Sequence, residues 1–94
     1  MIKKINILGE SVKVKYRDMT EDKVCGWYIY DKKLIEINNK IPKDIQNVTL
    51  VHEIIHAVFD RAGILNAKVS HDIQEVICDQ VAKVLTENFN LKEK

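Results

Sequence analysis

The sequence predicts an α+β fold in which a small, mostly antiparallel sheet of three or four strands packs against two helices. Its first half alternates apolar and polar residues with a period of two, and its second half repeats apolar residues every three or four positions. The 94 residues are 46% apolar and 31% charged, which is the composition of an ordinary globular domain. We therefore expect a single domain over residues 1–94.

Four segments of the first half carry strand signals. Alternation runs through 5–8 and 11–16, and Gly9-Glu10 lies between these segments as a turn. Segments 26–30 and 34–38 are rich in aromatic and β-branched residues and are separated by three polar residues, which predicts a hairpin. We expect these four segments to form the sheet.

Two helices are predicted after Pro42. The first spans 44–62 and ends at Gly63, because glycine favours the position that follows a helix C-terminus. The second begins after Ser70, whose hydroxyl suits an N-cap. Periodicity predicts that the first helix buries Val48, Val51, Ile55, Phe59 and Ala62, and that the second buries Ile73, Val76, Ile77, Val81, Val84 and Leu85.

The charge balance gives no sign of a nucleic-acid or membrane partner. Fifteen Lys and Arg against fourteen Asp and Glu leave a net charge of +1. No apolar run approaches the roughly 20 residues that span a bilayer, and the N-terminal residues do not resemble a secretion signal. We accordingly expect a cytoplasmic protein with two free thiols, Cys25 and Cys78, and expect Cys78 to behave as a small apolar residue beside Ile77 and Val81.

The first predicted helix contains the HExxH motif His52-Glu53-Ile54-Ile55-His56. Residues four apart lie on one face of a helix, about one turn apart, so both imidazoles can reach a single ion. Zinc accepts histidine nitrogens, and its catalytic sites keep one position for water. Because Glu53 is placed to take a proton from that water, the motif predicts one Zn²⁺ with Glu53 as general base.

The second predicted helix offers a third ligand. Glu75 follows His56 with 18 residues between them, and Asp79 lies one turn further along the same side. A carboxylate there can bind the ion, and another can accept the outer N–H of a ligating imidazole and fix its tautomer. His71, one turn before Glu75, is an alternative third ligand or a hydrogen-bond donor to a developing oxyanion.

These two motif blocks resemble a known family. HExxH at 52–56 followed by Glu75-Val76-Ile77-Cys78-Asp79 is similar to the HExxH plus ExxxD pattern of gluzincin metallopeptidases. Residues 49–58, preceded by Ile35-Glu36-Ile37-Asn38, more closely resemble the small ImmA/IrrE-type metallopeptidases of bacterial mobile elements and phages. Ile55 departs from that family, which usually has Gly there. The resemblance implies a minimal zincin-like domain in a bacterial host cell, with zinc held by His52, His56 and Glu75, Glu53 as general base and Asp79 beside the ligands.

The implied activity is hydrolysis of peptide bonds in a protein substrate, with a regulator of a phage or mobile element as one candidate. Tyr28 and Tyr30 can line a substrate groove, although aromatic residues in strands more often pack across the sheet with neighbours such as Trp27. The alternative function is a metal-stabilised, non-proteolytic protein-binding module, since a bound ion contributes to the folding of a small domain. An intact Glu53 disfavours that alternative, because a structural site has no use for a general base.

Overall fold

A computed structural model describes residues 2–62 and 70–89 of the chain. The strands are β1 (Lys4–Ile7), β2 (Glu10–Arg17), β3 (Gly26–Ile29) and β4 (Leu34–Asn38), and the helices are α1 (Lys43–Arg61) and α2 (His71–Asn88). The predicted α+β class is therefore confirmed, and each element begins and ends close to its predicted bounds. Gly63, most of the predicted connection 66–70 and the tail after residue 89 lie outside the described residues.

The four strands form one mixed sheet in the order β1-β2-β4-β3. The two outer pairs, β1 with β2 and β3 with β4, are antiparallel, whereas β2 and β4 pair in parallel in the middle of the sheet. In this central pair Val14 lies beside Ile35 and Tyr16 lies beside Ile37. β3 consequently forms one edge of the described sheet.

The predicted alternation in the strands is confirmed by which side chains are buried. Along β2, Val12 and Val14 are buried while Lys13 and Lys15 are exposed. The turn from β1 to β2 passes through Leu8 and Gly9 with φ of 50° and 84°, the positive values that a two-residue type I′ hairpin turn requires. The core between the sheet and α1 is formed by Ile7, Val12, Val14, Ile35, Ile37, Leu50 and Ala57.

Side chains fix the start of each helix. Gln46 Nε2 donates to the carbonyl oxygen of Ile41 at 2.8 Å just before α1. Ser70 Oγ accepts a hydrogen bond from the backbone N–H of Ile73 at 3.3 Å, so the predicted N-cap of α2 is confirmed.

The buried face of α1 differs in part from the prediction. Val51 is buried as predicted, but Val48, Ile55 and Phe59 are only half-buried and Ala62 is exposed. Leu50 and Ala57 face the sheet, and the two histidines of the motif face α2. The sheet and α2 contact α1 on different sides. The apolar arc predicted to be most buried coincides with neither side, so most of its residues stay partly exposed.

The predicted buried face of α2 is wrong. Gln74, Cys78 and Ala82 are buried, whereas Ile73 and Val84 are 55% and 56% exposed. Val76, Ile77, Val81 and Leu85 are also exposed. The reason is that α1 already covers the sheet, so α2 packs mainly against α1 through a narrow strip of residues four apart. None of the helices in the described ranges is both long and apolar enough to cross a membrane.

Candidate metal centre

The two histidines of the HExxH motif point the same ring nitrogen at a common space. One turn of α1 separates them, and their Nε2 atoms lie 3.2 Å apart, with ring centroids at 4.9 Å. Both side chains are largely buried, at 20% and 15% exposure for His52 and His56. Burial lowers the pKa of His56, which favours the neutral imidazole with a free lone pair that a metal ligand needs.

Glu75 of α2 brings its carboxylate to both imidazoles. Glu75 Oε1 lies 2.8 Å from His56 Nε2, and Oε2 lies 3.3 Å from His52 Nε2. Zinc bonds of 2.0–2.1 Å in a tetrahedron place neighbouring ligand atoms about 3.3 Å apart. The separations of 2.8, 3.2 and 3.3 Å are close to this edge length, and the predicted ligands His52, His56 and Glu75 come together around one position.

Cys78 also lies near the two histidines, a proximity that the sequence pattern did not predict. The Cys78 sulfur and the ring nitrogens of His52 and His56 all lie within 4.8 Å of one another. The residue is fully buried, and burial together with the charges of Glu75 and Glu53 raises the pKa of the thiol to about 12. Its spacing of three from Glu75 puts both on the α2 face that meets α1, which is the signal that could have identified it.

The donor cluster consists of His52, His56, Glu75 and Cys78. Glu53 lies beside it and is buried. Its exposure is 8%, and burial, with a further contribution from the charge of Glu75, raises the pKa of the carboxyl to about 7. A backbone hydrogen bond from Tyr28 partly offsets this rise. The arrangement places a carboxyl that can hold or release a proton next to the imidazole and carboxylate donors.

His71 and Asp79 lie further from the donor cluster. His71 Nε2 is 3.9 Å from Glu75 Oε1, and the ring is 80% exposed at the start of α2. The Asp79 carboxylate is 3.0 Å from Lys83 Nζ and accepts a hydrogen bond from Gln80 Nε2. Both contacts of Asp79 are with residues of its own helix, so the structure places it beside solvent and not against an imidazole ring.

A cleft of about 440 Å³ opens over the donor cluster between β3 and the two helices. Its walls are Gly26, Trp27, Tyr28, Tyr30, His52, Glu53, His56, His71, Gln74 and Glu75. The cleft thus contains the candidate base, three candidate ligands and both tyrosines predicted for a groove.

The two tyrosines differ in what their hydroxyl groups do. Tyr28 donates to Asp60 Oδ2 at 2.6 Å, where Lys33 Nζ also donates at 2.8 Å. Burial and the Asp60 carboxylate raise the pKa of Tyr28, so its phenol is a fixed, protonated donor. Tyr30 is 62% exposed at the rim of the cleft.

Edge strand β3 is fixed by contacts on both of its faces. Trp27 Nε1 donates to Glu36 Oε1 at 2.7 Å, and Arg17 Nε donates to Glu36 Oε2 at 2.9 Å. These hydrogen bonds, with that of Arg17 the strongest, hold the pKa of Glu36 below its usual range. A Cβ at Gly26 would lie 2.8 Å from the Thr49 side chain and 2.7 Å from the Glu36 carbonyl oxygen, so β3 approaches α1 as closely as only glycine allows.

In comparisons with known proteins, no family model, curated protein or solved structure matches this chain. The functional assignment accordingly depends on the residues and geometry of the cleft itself.

Proposed function

We propose that the protein is a zinc-dependent peptidase that holds its metal through His52, His56 and Glu75. The observation that carries this proposal is the meeting of two imidazole nitrogens, 3.2 Å apart on α1, with the Glu75 carboxylate of α2 at the base of an open cleft, one oxygen lying 2.8 Å from His56 and the other 3.3 Å from His52. Two imidazoles and one carboxylate are a donor set of catalytic zinc sites. The buried carboxyl of Glu53 beside these donors favours hydrolysis over a purely structural role.

Each residue has a distinct role in this proposal. A bound zinc ion supplies Lewis acidity, which polarises a scissile carbonyl and acidifies a water molecule. His52 and His56 contribute Nε2 lone pairs and Glu75 contributes a carboxylate oxygen. Glu53 accepts a proton from the attacking water and returns it to the nitrogen of the leaving amine.

The substrate would be an extended peptide segment of a protein. β3 is an edge of the described sheet, and its residues Gly26, Trp27 and Tyr28 line the cleft that contains Glu53. An edge strand can pair its outer main-chain groups with an added strand, which gives affinity without demanding particular side chains. The Tyr28 N–H already donates to Glu53, so the other outer groups of β3 would pair with the peptide. This position would bring a scissile bond alongside the donor cluster.

A metal-stabilised binding module is the second candidate, and Cys78 is the observation that favours it. Four protein ligands are typical of closed structural zinc sites, and Cys78 lies within reach of both histidines. The two functions differ in what they require of Glu53, because only hydrolysis uses its proton transfer.

Cleavage of a pool of unstructured synthetic peptides by the zinc-loaded chain, followed by mass spectrometry, separates these functions. We expect E53Q to bind zinc as the unchanged chain does but to cleave about 10²–10⁴-fold more slowly, the usual contribution of a general base. E87Q, on an exposed part of α2, is the matched control and should cleave normally. Equal cleavage by E53Q would contradict the peptidase mechanism, and zinc binding without any cleavage, in C78S as well as in the unchanged chain, would favour the binding module.

A further inference from the structure

Cys78 occupies a place that neither the HExxH motif nor the proposed mechanism requires. It is fully buried between α1 and α2, whereas the Glu75 side chain is 43% exposed on the cleft side of the same helix. Its sulfur lies within 4.8 Å of a ring nitrogen of His52 and a ring nitrogen of His56. The Cys78 sulfur thus lies on the interior side of the two histidines, whereas Glu75 lies on the side that faces the cleft and solvent.

We propose that the Cys78 thiolate is a fourth protein ligand of the zinc, so that the resting site is closed and the peptidase is latent. This inference rests on the proposed function, because it concerns the regulation of the same site. In this arrangement His52, His56 and Glu75 would hold the ion from three sides, and Cys78 would add the fourth donor.

The required movement is small. A tetrahedron with zinc–sulfur bonds of 2.3 Å and zinc–nitrogen bonds of 2.0–2.1 Å has sulfur–nitrogen edges of about 3.6 Å. Because the sulfur–nitrogen separations are at most 4.8 Å, a shift of about 1 Å at the Cys78 side chain is enough to bring the sulfur to this distance from both histidines. On binding, the S–H bond breaks, a sulfur–metal bond forms and one proton is released to solvent, with no change in oxidation state.

Closure has two consequences. Four protein ligands would leave no open position for water at a tetrahedral zinc, so peptide cleavage by the resting protein is slow. A thiolate also favours zinc and other soft ions over magnesium or manganese, which prefer oxygen ligands. Cys78 would therefore set both the latency of the site and its choice of metal.

The test is the absorption spectrum of the full chain loaded with Co²⁺, a spectroscopically visible substitute for zinc. We expect visible bands of tetrahedral Co²⁺ together with a near-ultraviolet thiolate-to-cobalt charge-transfer band. The charge-transfer band should disappear in C78S and persist in C25S, the matched control, since Cys25 is the exposed cysteine. We also expect zinc to bind C78S at least about 10-fold more weakly, and saturating zinc to give C78S faster peptide cleavage than the unchanged chain.

The possible outcomes distinguish a failure of Cys78 ligation from a failure of the proposed peptidase function. Co²⁺ bands without a thiolate band in the unchanged chain would overturn ligation by Cys78 and leave the three-ligand centre intact, whether or not C78S folds. A thiolate band that survives in C78S would overturn it equally. Failure of the unchanged chain to bind Co²⁺ or zinc would overturn the metal centre, and the proposed function with it.

Discussion

His52 and His56 hold their Nε2 atoms 3.2 Å apart on successive turns of α1. Two neutral imidazole nitrogens can share that separation only when one carries a hydrogen or when a cation lies between their lone pairs. Glu75 Oε1 faces the same space at 2.8 Å from His56. The helix geometry therefore brings together the donors that the proposed zinc ligation requires.

The contribution of Glu75 can be separated from that of His71. We expect E75A to weaken zinc binding by at least about 10-fold, because it removes a donor atom 2.8 Å from His56 Nε2. H71A should bind zinc normally, because that ring is 80% exposed and 3.9 Å from Glu75. Competition titrations with a chromophoric chelator measure both affinities. Full affinity in E75A with loss in H71A would reverse the ligand assignment.

Tyr28 is expected to stabilise the fold, because its hydroxyl is bound to Asp60. Y28F should lower the free energy of unfolding by about 1.5–3 kcal/mol, the range for a hydrogen bond to a charged group. Urea denaturation measures this loss. Y30F is the control and should leave stability unchanged, because Tyr30 is 62% exposed. Unchanged stability in Y28F accompanied by lost peptide cleavage would instead indicate that this hydroxyl acts on the substrate.

Glu36 is expected to make stability depend on acid pH. Arg17 and Trp27 lower its pKa in the folded protein below the ordinary value of 4.5, so its contribution is present above pH 4.5 and is lost as the pH falls through the folded pKa. E36Q should cost about 1–3 kcal/mol at pH 7 and less at pH 3.

Urea unfolding of both chains between pH 7 and pH 3 measures this difference. Asp18 and Asp60 also have lowered pKa values, so E36Q should flatten the pH dependence without removing it. E87Q, at an exposed position, should follow the unchanged chain. Parallel curves for E36Q and the unchanged chain would show that Glu36 is not linked to acid unfolding.

Local pattern was enough to predict the elements of this fold. The period of two located β1 and β2, and spacings of three and four located α1, because each pattern depends only on neighbours in sequence. The parallel pairing of β2 with β4 was not predicted, since it joins segments separated by β3. The same limit explains why the buried face of α2 was predicted wrongly. Periodicity identified an apolar face, but it could not show that α1 already covers the sheet.

The candidate site was predictable where its residues share one helix. The spacing of His52 and His56 places both rings on one side of α1, and Glu75 followed from the second motif block. Cys78 was not singled out because its sequence neighbours Ile77 and Val81 suggest an apolar environment. Its proximity to the histidines depends on how α2 lies against α1, which no single-helix pattern contains.

Zinc content shows whether the two helices form a metal centre. The chain is purified, freed of metal with a chelator, reloaded with zinc and desalted, and bound metal is measured by mass spectrometry beside H56A and the control H71A. We predict one zinc ion per chain in the unchanged protein and in H71A, and a large loss in H56A. Zinc content in H56A equal to that of the unchanged protein, or no bound zinc in either, would contradict a metal centre formed by His52, His56 and Glu75.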